Sequence, residues 1–472
     1  MRLTVYPGSP LRGEITLPGD KSLSHRAAII GAMANGESRV ENFLVAGVTR
    51  AMLNALTALG VGWELEGTTL TIQAGGLSAW QAPSAAIDCG NSATTMRLLA
   101  GGLAAAGLPA VLDGSPRLRR RPMNRIVDPL SRMGVPVRAE DGRAPLMFSH
   151  RKGQLKPLQY TLPVASAQVK SCLLLAGLSA SGSTMLTEPG PSRDHTERML
   201  RSLGVTVVSE ARNGSHTQIK PGLEKSGKDS ISKPQAGGEL SLNRNLRYTT
   251  HLVPPHQYTL PPMRFALPGD ISSAAFLIVA ALITPGSQVW LREILLNPTR
   301  TGLLDALLAM GADVRVSATG ERQGEPLGDI FVRASPLRAT HISGSMVVRM
   351  IDEFPAFAVA AACAQGQTVV SEALELRHKE SDRISALCTE LQRLGVAAQE
   401  TPEGFTITGG GFPRGGVVDS HGDHRLAMAL AVAGLACLQA VTVSEAEIVS
   451  ESFPNFSEVL QSLGAQVQVA HE

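Results

Sequence analysis

Basic side chains stand beside the predicted starts of several helices, where they suit the binding of small anions. Lys21 and Arg26 flank the first of these starts, and Arg97 and Lys170 lie just inside two later ones. Helix N-termini present unpaired N–H groups and a partial positive charge, so Lys and Arg beside them form sites for phosphate or carboxylate groups. Polar residues at the same starts either complete such sites or serve only as helix caps: Ser22, Asn91, Thr94, Ser166 and Gln168.

Further basic residues lie in four short segments: 117–122, 192–196, 377–383 and 423–425. On a helix, Lys379, Glu380 and Arg383 would share one face, because they are three or four positions apart. The two cations repel each other there, so an anionic group should offset them. Glu380 either does this as an ion-pair partner or acts as an acid/base group whose pKa is set by its basic neighbours.

Motifs for bound cofactors are missing from the sequence. His195 and His424 each suit a capping or pairing role. No spacing of His, Cys, Asp and Glu is typical of a metal site, and there is neither a P-loop nor a convincing dinucleotide fingerprint. We therefore predict that the protein uses no metal and no organic cofactor.

Composition narrows the class of partner. The net charge is only +2, from 43 basic and 41 acidic residues, and aromatic residues make up 4% of the chain. Neither nucleic acid nor a membrane surface is therefore a predicted partner. The sequence shows no membrane span and no targeting peptide, and five scattered cysteines without a CxxC pair are expected to be reduced thiols. We expect a cytoplasmic protein that acts on small molecules.

A helix ending of the form Leu-x-x-(Leu/Met)-Gly-(Val/Ala) recurs six times. Its two apolar residues lie on one helix face, and its Gly suits the left-handed C-terminal position. A predicted strand follows each copy. Six copies at comparable intervals indicate repeated units: 56–61, 130–135, 200–205, 307–312, 391–396 and 460–465.

Each unit also contains a polar segment that opens a helix rich in Ala and Leu. Ser, Asn and Asp are preferred helix caps, and small side chains let helices pack closely. We therefore place these helices inside the fold and the Leu-x-x-Leu-Gly helices outside, in an α/β chain of six β-α-β-α-β-β units. The six openings begin at Ser24, Asn91, Ser166, Asp270, Asp352 and Asp423.

Two domains are predicted from a repeated tetrapeptide. Leu-Pro-Gly-Asp occurs at 17–20 and at 267–270, each time just before an Ala-rich helix, and Pro-Gly pairs punctuate elements. If both are crossings, residues 20–267 form one domain and residues 1–19 plus 268–472 the other, with three units each. The Lys-, Ser- and Pro-rich region near 222–262 is predicted to be a surface insertion.

The chain resembles the 5-enolpyruvylshikimate-3-phosphate synthase family from about Leu17 to Leu463, apart from the 222–262 region. Two segments, 163–170 and 297–302, are similar to the second, glyphosate-tolerant class of that family. The motifs that carry the resemblance lie at 17–26, 90–97, 121–123, 166–168, 377–383 and 423–425.

The resemblance implies a two-domain inside-out α/β barrel without metal or cofactor, expected to be a monomer. The implied reaction transfers the enolpyruvyl group of phosphoenolpyruvate to the 5-hydroxyl of shikimate 3-phosphate and releases phosphate, in the shikimate route to chorismate and the aromatic amino acids. The implied shikimate 3-phosphate ligands are Lys21, Ser22, Arg26, Ser166, Ala167, Gln168, Arg193, Asp352 and Lys379. The implied phosphoenolpyruvate ligands are Lys21, Asn91, Ala93, Thr94, Arg121, Gln168, Arg383 and Arg425.

The implied catalytic residues are Lys21, Asp352 as the base on the sugar hydroxyl, and Glu380 as the acid at the methylene carbon. The sequence departs from many members at Ala93, where they have Gly, and at Glu451, where they have Lys. We expect the Ala93 methyl to crowd glyphosate, which is longer than phosphoenolpyruvate.

Two other readings share the predicted architecture. One is a UDP-N-acetylglucosamine enolpyruvyl transferase, but that family typically uses a loop cysteine, and the 117–122 stretch has none. The other is a homologue that binds sugar phosphates without catalysis. The presence of Lys21, Asp352, Glu380 and Arg425 favours the active transferase over this homologue.

Overall fold

Strands and helices alternate regularly along the chain in this computed structural model, which describes residues 1–213, 246–255, 259–410 and 414–471. The strands of the described residues are β1 (Arg2–Tyr6), β2 (Arg12–Thr16), β3 (Asn35–Glu41), β4 (Gly62–Glu66), β5 (Thr69–Gly75), β6 (Ile87–Asp88), β7 (Ala110–Asp113), β8 (Val137–Glu140), β9 (Arg143–Phe148), β10 (Leu158–Thr161), β11 (Thr184–Glu188), β12 (Thr206–Asn213), β13 (Leu246–Val253), β14 (Arg264–Ala266), β15 (Gln288–Leu295), β16 (Asp313–Arg322), β17 (Glu325–Arg333), β18 (His341–Ile342), β19 (Gln367–Val370), β20 (Ala397–Thr401), β21 (Gly404–Thr408), β22 (Gly416–Asp419), β23 (Val441–Ser444) and β24 (Gln466–Ala470).

The helices of the same residues are α1 (Lys21–Met33), α2 (Gly47–Ala58), α3 (Ala93–Ala106), α4 (Pro116–Arg119), α5 (Asn124–Arg132), α6 (Ala167–Gly177), α7 (His195–Ser202), α8 (Ile271–Ile283), α9 (Gly302–Ala309), α10 (Ser345–Arg349), α11 (Phe354–Cys363), α12 (Arg383–Arg393), α13 (His424–Ala433) and α14 (Phe456–Ser462). Short 3₁₀ turns lie at Leu77–Ala79, Leu374–His378 and Ala446–Glu451. No helix in these ranges is both long enough and apolar enough to cross a membrane.

Six four-stranded sheets of one pattern confirm the predicted unit. In the second, β6 runs parallel to β7, and β9 lies antiparallel to both β7 and β8. α3 joins β6 to β7 and α5 joins β7 to β8, which gives the order β-α-β-α-β-β. Each sheet within the described residues is open rather than a closed barrel, and the six orders are β14-β3-β5-β4, β6-β7-β9-β8, β10-β11-β13-β12, β2-β15-β17-β16, β18-β19-β21-β20 and β22-β23-β1-β24.

The Ala-rich helix of each unit is the inner one, as predicted. Every residue of α8 is buried, and α1, α3, α6, α11 and α13 are buried over most of their length. The outer helices bury one face only, as in α2, where Met52, Leu53 and Leu56 point inward. The glycines that end the outer helices all have positive φ, from +79° at Gly60 to +106° at Gly464, which is the left-handed conformation expected from the motif.

The two Leu-Pro-Gly-Asp segments lie side by side. The Asp20 amide donates to Pro268 O at 2.9 Å, and the Asp270 amide donates to Pro18 O at 3.0 Å. β1 and β2 join the sheets of the sixth and fourth units, whereas β14, just before the second segment, joins the first. This sheet membership supports crossings at 17–20 and 267–270, while the exact domain limits stay a prediction.

A buried arginine ties these two segments together. Arg300, which is 2% exposed, lies 3.2 Å from Asp20 and 3.4 Å from Asp270. It also contacts His195 Nε2 at 3.3 Å, and His195 Nδ1 lies 2.7 Å from Glu325. His195 is therefore a paired histidine, one of the two roles predicted for it. Burial lowers the pKa of His195 well below its usual range and raises that of Glu325 to about 8.

The predicted insertion at 222–262 is wrong at its C-terminal end. Residues 222–245 and 256–258 lie outside the described residues, but β13 lies between β11 and β12 in the third sheet. The strand was missed because the segment before it is rich in Lys, Ser and Pro, and that composition was taken as typical of the whole region. Its own residues, such as Tyr248, Thr249 and Thr250, favour a strand.

Candidate active site

A cavity of about 510 Å³ lies where the inner-helix starts of both halves of the chain converge. Helix starts from the first three units form one side, and segments of the fifth and sixth units form the other. All but two of the predicted site residues line it: Lys21, Ser22, Asn91, Ala93, Thr94, Arg121, Ser166, Ala167, Gln168, Arg193, Asp352, Lys379, Glu380 and Arg425.

Three helix N-termini with different caps form the first side. Asp20 caps α1 by accepting from the Leu23 amide at 2.8 Å, and Ser92 caps α3 by accepting from the Thr95 amide at 3.0 Å. Ser166 stands at the cap position of α6 but makes no capping hydrogen bond with its side chain. α1 thus begins at Lys21 and not at Ser24 as predicted, so Lys21 and Ser22 lie in its first turn at the cavity.

The 377–383 segment is not one helix, so the prediction that its charged residues share a helix face is wrong. Asp382 caps α12 by accepting from the Ser385 amide at 3.2 Å, and the helix therefore begins only at Arg383. Lys379 and Glu380 lie between a 3₁₀ turn and this helix. Both side chains line the cavity from this non-helical stretch of backbone.

Asp352 is held by cations from both halves of the chain. Arg193 Nη2 lies 2.5 Å from its Oδ2, Arg383 Nη1 lies 3.5 Å from its Oδ1, and Arg425 Nη2 lies 3.6 Å from Oδ2. Burial alone would raise the pKa of Asp352, but these arginines and Lys379 hold it well below its usual range. The carboxylate is therefore ionised at neutral pH.

Glu380 is also held between two arginines. Arg121 Nη2 lies 3.0 Å from Oε1, and Arg383 Nη2 lies 2.6 Å from Oε2. Burial opposes ionisation, yet Arg121 and Arg383 keep the pKa of Glu380 well below its usual range. Glu380 is thus an ion-pair partner, and its proton affinity depends on whether Arg121 and Arg383 stay beside it.

Lys21 titrates close to the physiological range. Burial lowers its pKa to about 8, and the nearby Arg425 adds to that effect. His424 at the start of α13 also lines the cavity, and burial with Lys21 and Arg425 nearby lowers its pKa to about 3, so its ring is neutral at pH 7.

Arg26 and Arg383 were predicted to contact substrate, but neither lines the cavity. Arg26 donates to Thr196 at 2.8 Å, to Ser171 at 2.7 Å and to the Ser22 carbonyl at 2.9 Å. Arg383 is fully buried and pairs with Asp423 at 2.8 Å as well as with Glu380. Both side chains therefore lie behind the residues that form the cavity wall.

Lys170 points away from the cavity, although the sequence placed it among the cations of a helix start. Its Nζ lies 2.6 Å from Glu188 and 2.8 Å from Glu197, and all three side chains are at most 3% exposed. The two carboxylates raise its pKa despite burial. Lys170 thus secures the two ends of the segment that carries Arg193.

Three more arginines line the cavity beyond the residues that the family resemblance implied, and of these the sequence had placed Arg97 at a predicted anion-binding helix start. They are Arg97, Arg117 and Arg125; Arg117 donates to the Gly422 carbonyl at 2.9 Å, and Arg125 pairs with Glu375 at 2.9 Å. The basic segment 117–122 indicated two arginines that line the cavity, Arg117 and Arg121. It did not indicate that Arg119 points outward and pairs with Asp113.

Glu451, one of the two departures noted in the sequence, lines the cavity and accepts from Asn91 Nδ2 at 3.5 Å. It therefore adds a carboxylate to the cavity wall. Among the described residues, no three His, Cys, Asp and Glu side chains are grouped so that they could hold a metal ion.

Comparison with known proteins identifies one family. A family model described as EPSP synthase (3-phosphoshikimate 1-carboxyvinyltransferase) matches residues 5–232 and 237–460. The chain is 45% identical over 466 residues to a 3-phosphoshikimate 1-carboxyvinyltransferase of Geobacter metallireducens, covering 98% of this chain and 99% of that protein. A protein of the same name from Methylococcus capsulatus is 44% identical over 471 residues, with coverage of 99% and 98%.

A solved structure of EPSP synthase from Acinetobacter baumannii matches with a TM-score of 0.82 at 39% identity, covering all of both chains. The family match includes residues 222–232 and 237–260. The prediction that the 222–262 region stands outside the resemblance is therefore wrong for most of that region.

Proposed function

The chain belongs to the EPSP synthase family, and from that premise we propose how its residues carry out the reaction of a 3-phosphoshikimate 1-carboxyvinyltransferase. The enzyme transfers the enolpyruvyl group of phosphoenolpyruvate to the 5-hydroxyl of shikimate 3-phosphate and releases phosphate. The observation that carries the residue assignment is a cavity in which two half-buried carboxylates, Asp352 and Glu380, are surrounded by cations from both halves of the chain.

The two substrates divide the wall between them. Shikimate 3-phosphate contacts Lys21, Ser22, Ser166, Ala167, Gln168, Arg193, Asp352 and Lys379, while phosphoenolpyruvate contacts Lys21, Asn91, Ala93, Thr94, Arg121, Gln168 and Arg425. Both substrates are polyanions that repel each other in water, so a cavity rich in cations and helix N-termini offsets that repulsion. Arg26 and Arg383 act indirectly, by holding residues of the cavity wall in place. Arg26 donates to the Ser22 carbonyl, and Arg383 pairs with Glu380.

Two carboxylates carry the proton transfers of the reaction. Asp352 accepts the proton of the 5-hydroxyl as the oxygen attacks C2 of phosphoenolpyruvate, while Glu380 gives a proton to the methylene carbon. The resulting tetrahedral adduct then returns a methyl proton to Glu380 as the C–O bond to phosphate breaks, and the proton taken by Asp352 leaves with phosphate. Each carboxylate therefore ends in its starting state.

Substrate binding prepares Glu380 for its role as acid. Arg121 holds its pKa low in the structure. When the anionic groups of phosphoenolpyruvate engage Arg121, they offset that positive charge, so the pKa of Glu380 rises and the carboxylate takes up from solvent the proton that it then gives to the methylene carbon. Shikimate 3-phosphate raises the pKa of Asp352 in the same way, because its anionic groups engage Arg193, which pairs with Asp352.

Glyphosate tolerance is the subclass property that we propose. Ala93 is the first residue of α3, is 3% exposed and lines the cavity. Its methyl group narrows the part of the cavity next to Thr94, which leaves room for phosphoenolpyruvate but not for the longer inhibitor. We also propose that the enzyme is a monomer, since one chain supplies the whole cavity wall described above. We further propose that it is cytoplasmic, where its five scattered cysteines without a CxxC pair would stay reduced.

One assay tests the assignment. Phosphate release from phosphoenolpyruvate is measured with shikimate 3-phosphate or with UDP-N-acetylglucosamine as acceptor. We expect release with the former alone. Release with the latter would favour the UDP-N-acetylglucosamine transferase, and no release with either would favour a binding homologue.

A further inference from the structure

A chain of hydrogen bonds joins the first turns of two inner helices at the cavity. Arg97 Nη1 donates to Gln168 Oε1 at 2.5 Å, and Gln168 Nε2 donates to Thr94 Oγ1 at 2.9 Å. A guanidinium group has donors only, so the amide atom that faces Arg97 must be the carbonyl oxygen. The amide NH₂ group is therefore turned toward Thr94 and the cavity that Gln168 lines.

We propose that Arg97 is a positioning residue, which fixes the Gln168 amide so that its NH₂ group, and not its oxygen, meets the two anionic substrates. This inference rests on the proposed assignment of Gln168 to both substrates. An amide donor attracts a phosphate or carboxylate oxygen, whereas a flipped amide would present its own oxygen to them. The orientation of one amide thus affects the binding of both substrates.

Arg97 reaches a second part of the site at the same time. Its Nη2 donates to the Pro122 carbonyl at 3.0 Å, and Pro122 directly follows Arg121. Burial and the nearby charges of Arg121 and Arg125 lower the pKa of Arg97 to about 10. Because this value is still well above 7, the guanidinium group carries its charge at neutral pH. A planar guanidinium with two fixed donors can hold both acceptors at once, which a Lys ammonium does less well.

The packing of the two helices fixes this geometry. A Cβ atom at Gly101 would lie 2.4 Å from the Cys172 carbonyl oxygen, so α3 and α6 are in backbone contact there. Arg97 lies four residues before Gly101, and Gln168 lies four residues before Cys172. The pair is therefore one turn from the contact in each helix, and the backbone spacing sets the distance between the two side chains.

A double-mutant cycle tests the proposal with steady-state kinetics of the full chain. In the native background, Arg97→Met is expected to raise the KM of both substrates by about tenfold or more, the range for a hydrogen bond to a charged group. In the Gln168→Ala background, the same change should raise the KM of shikimate 3-phosphate by less than about twofold, because the amide it orients is absent and the other acceptor of Arg97, the Pro122 carbonyl, adjoins a phosphoenolpyruvate ligand. An equal effect of Arg97→Met in both backgrounds would overturn the proposal.

Controls separate positioning from folding. Thermal unfolding confirms that each variant is folded, and Arg119→Met, which removes an exposed arginine paired with Asp113, should leave KM unchanged. If Arg97→Met does not fold, the cycle is repeated under the same criterion with Arg97→Gln, whose amide can present either a donor or an acceptor and so no longer fixes the orientation of Gln168. A Gln168→Ala variant with native KM values would overturn both this inference and the assignment of Gln168, whereas additive effects would overturn the inference alone.

Discussion

At the scale of single residues, the reacting centre depends on two carboxylates whose proton affinity is set by neighbouring arginines. We expect Glu380→Gln to lower turnover by at least about a hundredfold, because an amide cannot exchange a proton with the methylene carbon. Asp352→Ala should have an effect of the same size, since it removes the base. Phosphate release measures turnover, and calorimetric titration measures substrate binding, which should weaken only modestly. Near-native turnover in either variant would remove that residue from the mechanism.

Asp352→Ala also removes the partner of Arg193, so a second variant is needed. Asp352→Asn keeps the size of the side chain and one oxygen that can accept from Arg193, but not the basicity of the carboxylate. If Asp352→Asn is as active as the native enzyme while Asp352→Ala is not, the role of Asp352 is to hold Arg193 and not to accept a proton.

Lys21 gives the enzyme a pH dependence on the alkaline side. Its pKa of about 8 means that it is charged below that pH and loses its charge above it. We therefore expect kcat/KM for phosphoenolpyruvate to fall as the pH rises through about 8, because that ratio reports the free enzyme. Lys21→Arg should move this fall to higher pH, since a guanidinium stays charged. A fall at the same pH in both proteins would assign it to another group.

Ala93 is the test residue for glyphosate. Ala93→Gly should lower the inhibition constant of glyphosate by about tenfold or more, the range for one methyl group in a tight pocket, with little change in KM for phosphoenolpyruvate. Ala167→Gly, the matching change in the first turn of α6, should leave glyphosate inhibition unchanged. If Ala93→Gly and the native enzyme are inhibited equally, the methyl group does not cause tolerance.

At the scale of helices and strands, the close contact of α3 with α6 is the most exacting feature. Gly101→Ala would place a Cβ atom 2.4 Å from the Cys172 carbonyl oxygen, so the helices must separate. We expect a loss of about 1–3 kcal/mol in the free energy of unfolding, as for other overpacked cores. Urea denaturation measures it. Gly62→Ala is the control, because its nearest neighbour would be 3.8 Å away, and an equal loss in both variants would contradict the argument.

Local sequence patterns predicted whole elements better than they predicted what side chains do. The helix endings and Ala-rich helices were predictable, because capping glycines and apolar periodicity are local signals. The fate of Lys170 was not, since its partner Glu188 lies on a strand 18 residues away. The start of α12 at Arg383 was not predicted, because the spacing of the charged residues suggested a helix over the whole segment. In the structure Asp382 caps the helix and sets its start.

At the scale of the whole molecule, the two halves are joined by their crossings and by ion pairs over the cavity. Arg121, Arg125 and Arg193 of the first half each pair with a carboxylate of the second. These pairs were not predicted, because the family resemblance assigned Arg121 and Arg193 to substrates alone and gave Arg125 no role. Anions that enter the cavity therefore compete with existing pairs, and the energy of binding includes breaking them.

Arg300 stabilises the join between the halves. Arg300→Met would leave Asp20 and Asp270 buried without their cation, so we expect the free energy of unfolding to fall by about 3–5 kcal/mol. Thermal and urea unfolding measure the change. Arg292→Met, which removes an arginine with two partners near the surface, should cost less than about 1 kcal/mol. A similar loss of unfolding free energy in both variants would mean that the burial of Arg300 at the crossings does not increase its contribution to stability.

The first strand of the chain lies in the last sheet, and this placement has a mechanical consequence. β1 is antiparallel to β24, with Arg2 opposite Ala470, so the two chain ends leave the sheet at the same end of this strand pair. A force that pulls these ends apart loads the ladder one hydrogen bond at a time, as in opening a zipper, and does not shear all of them together. The sixth unit is therefore the point at which tension on the chain ends would first open the fold.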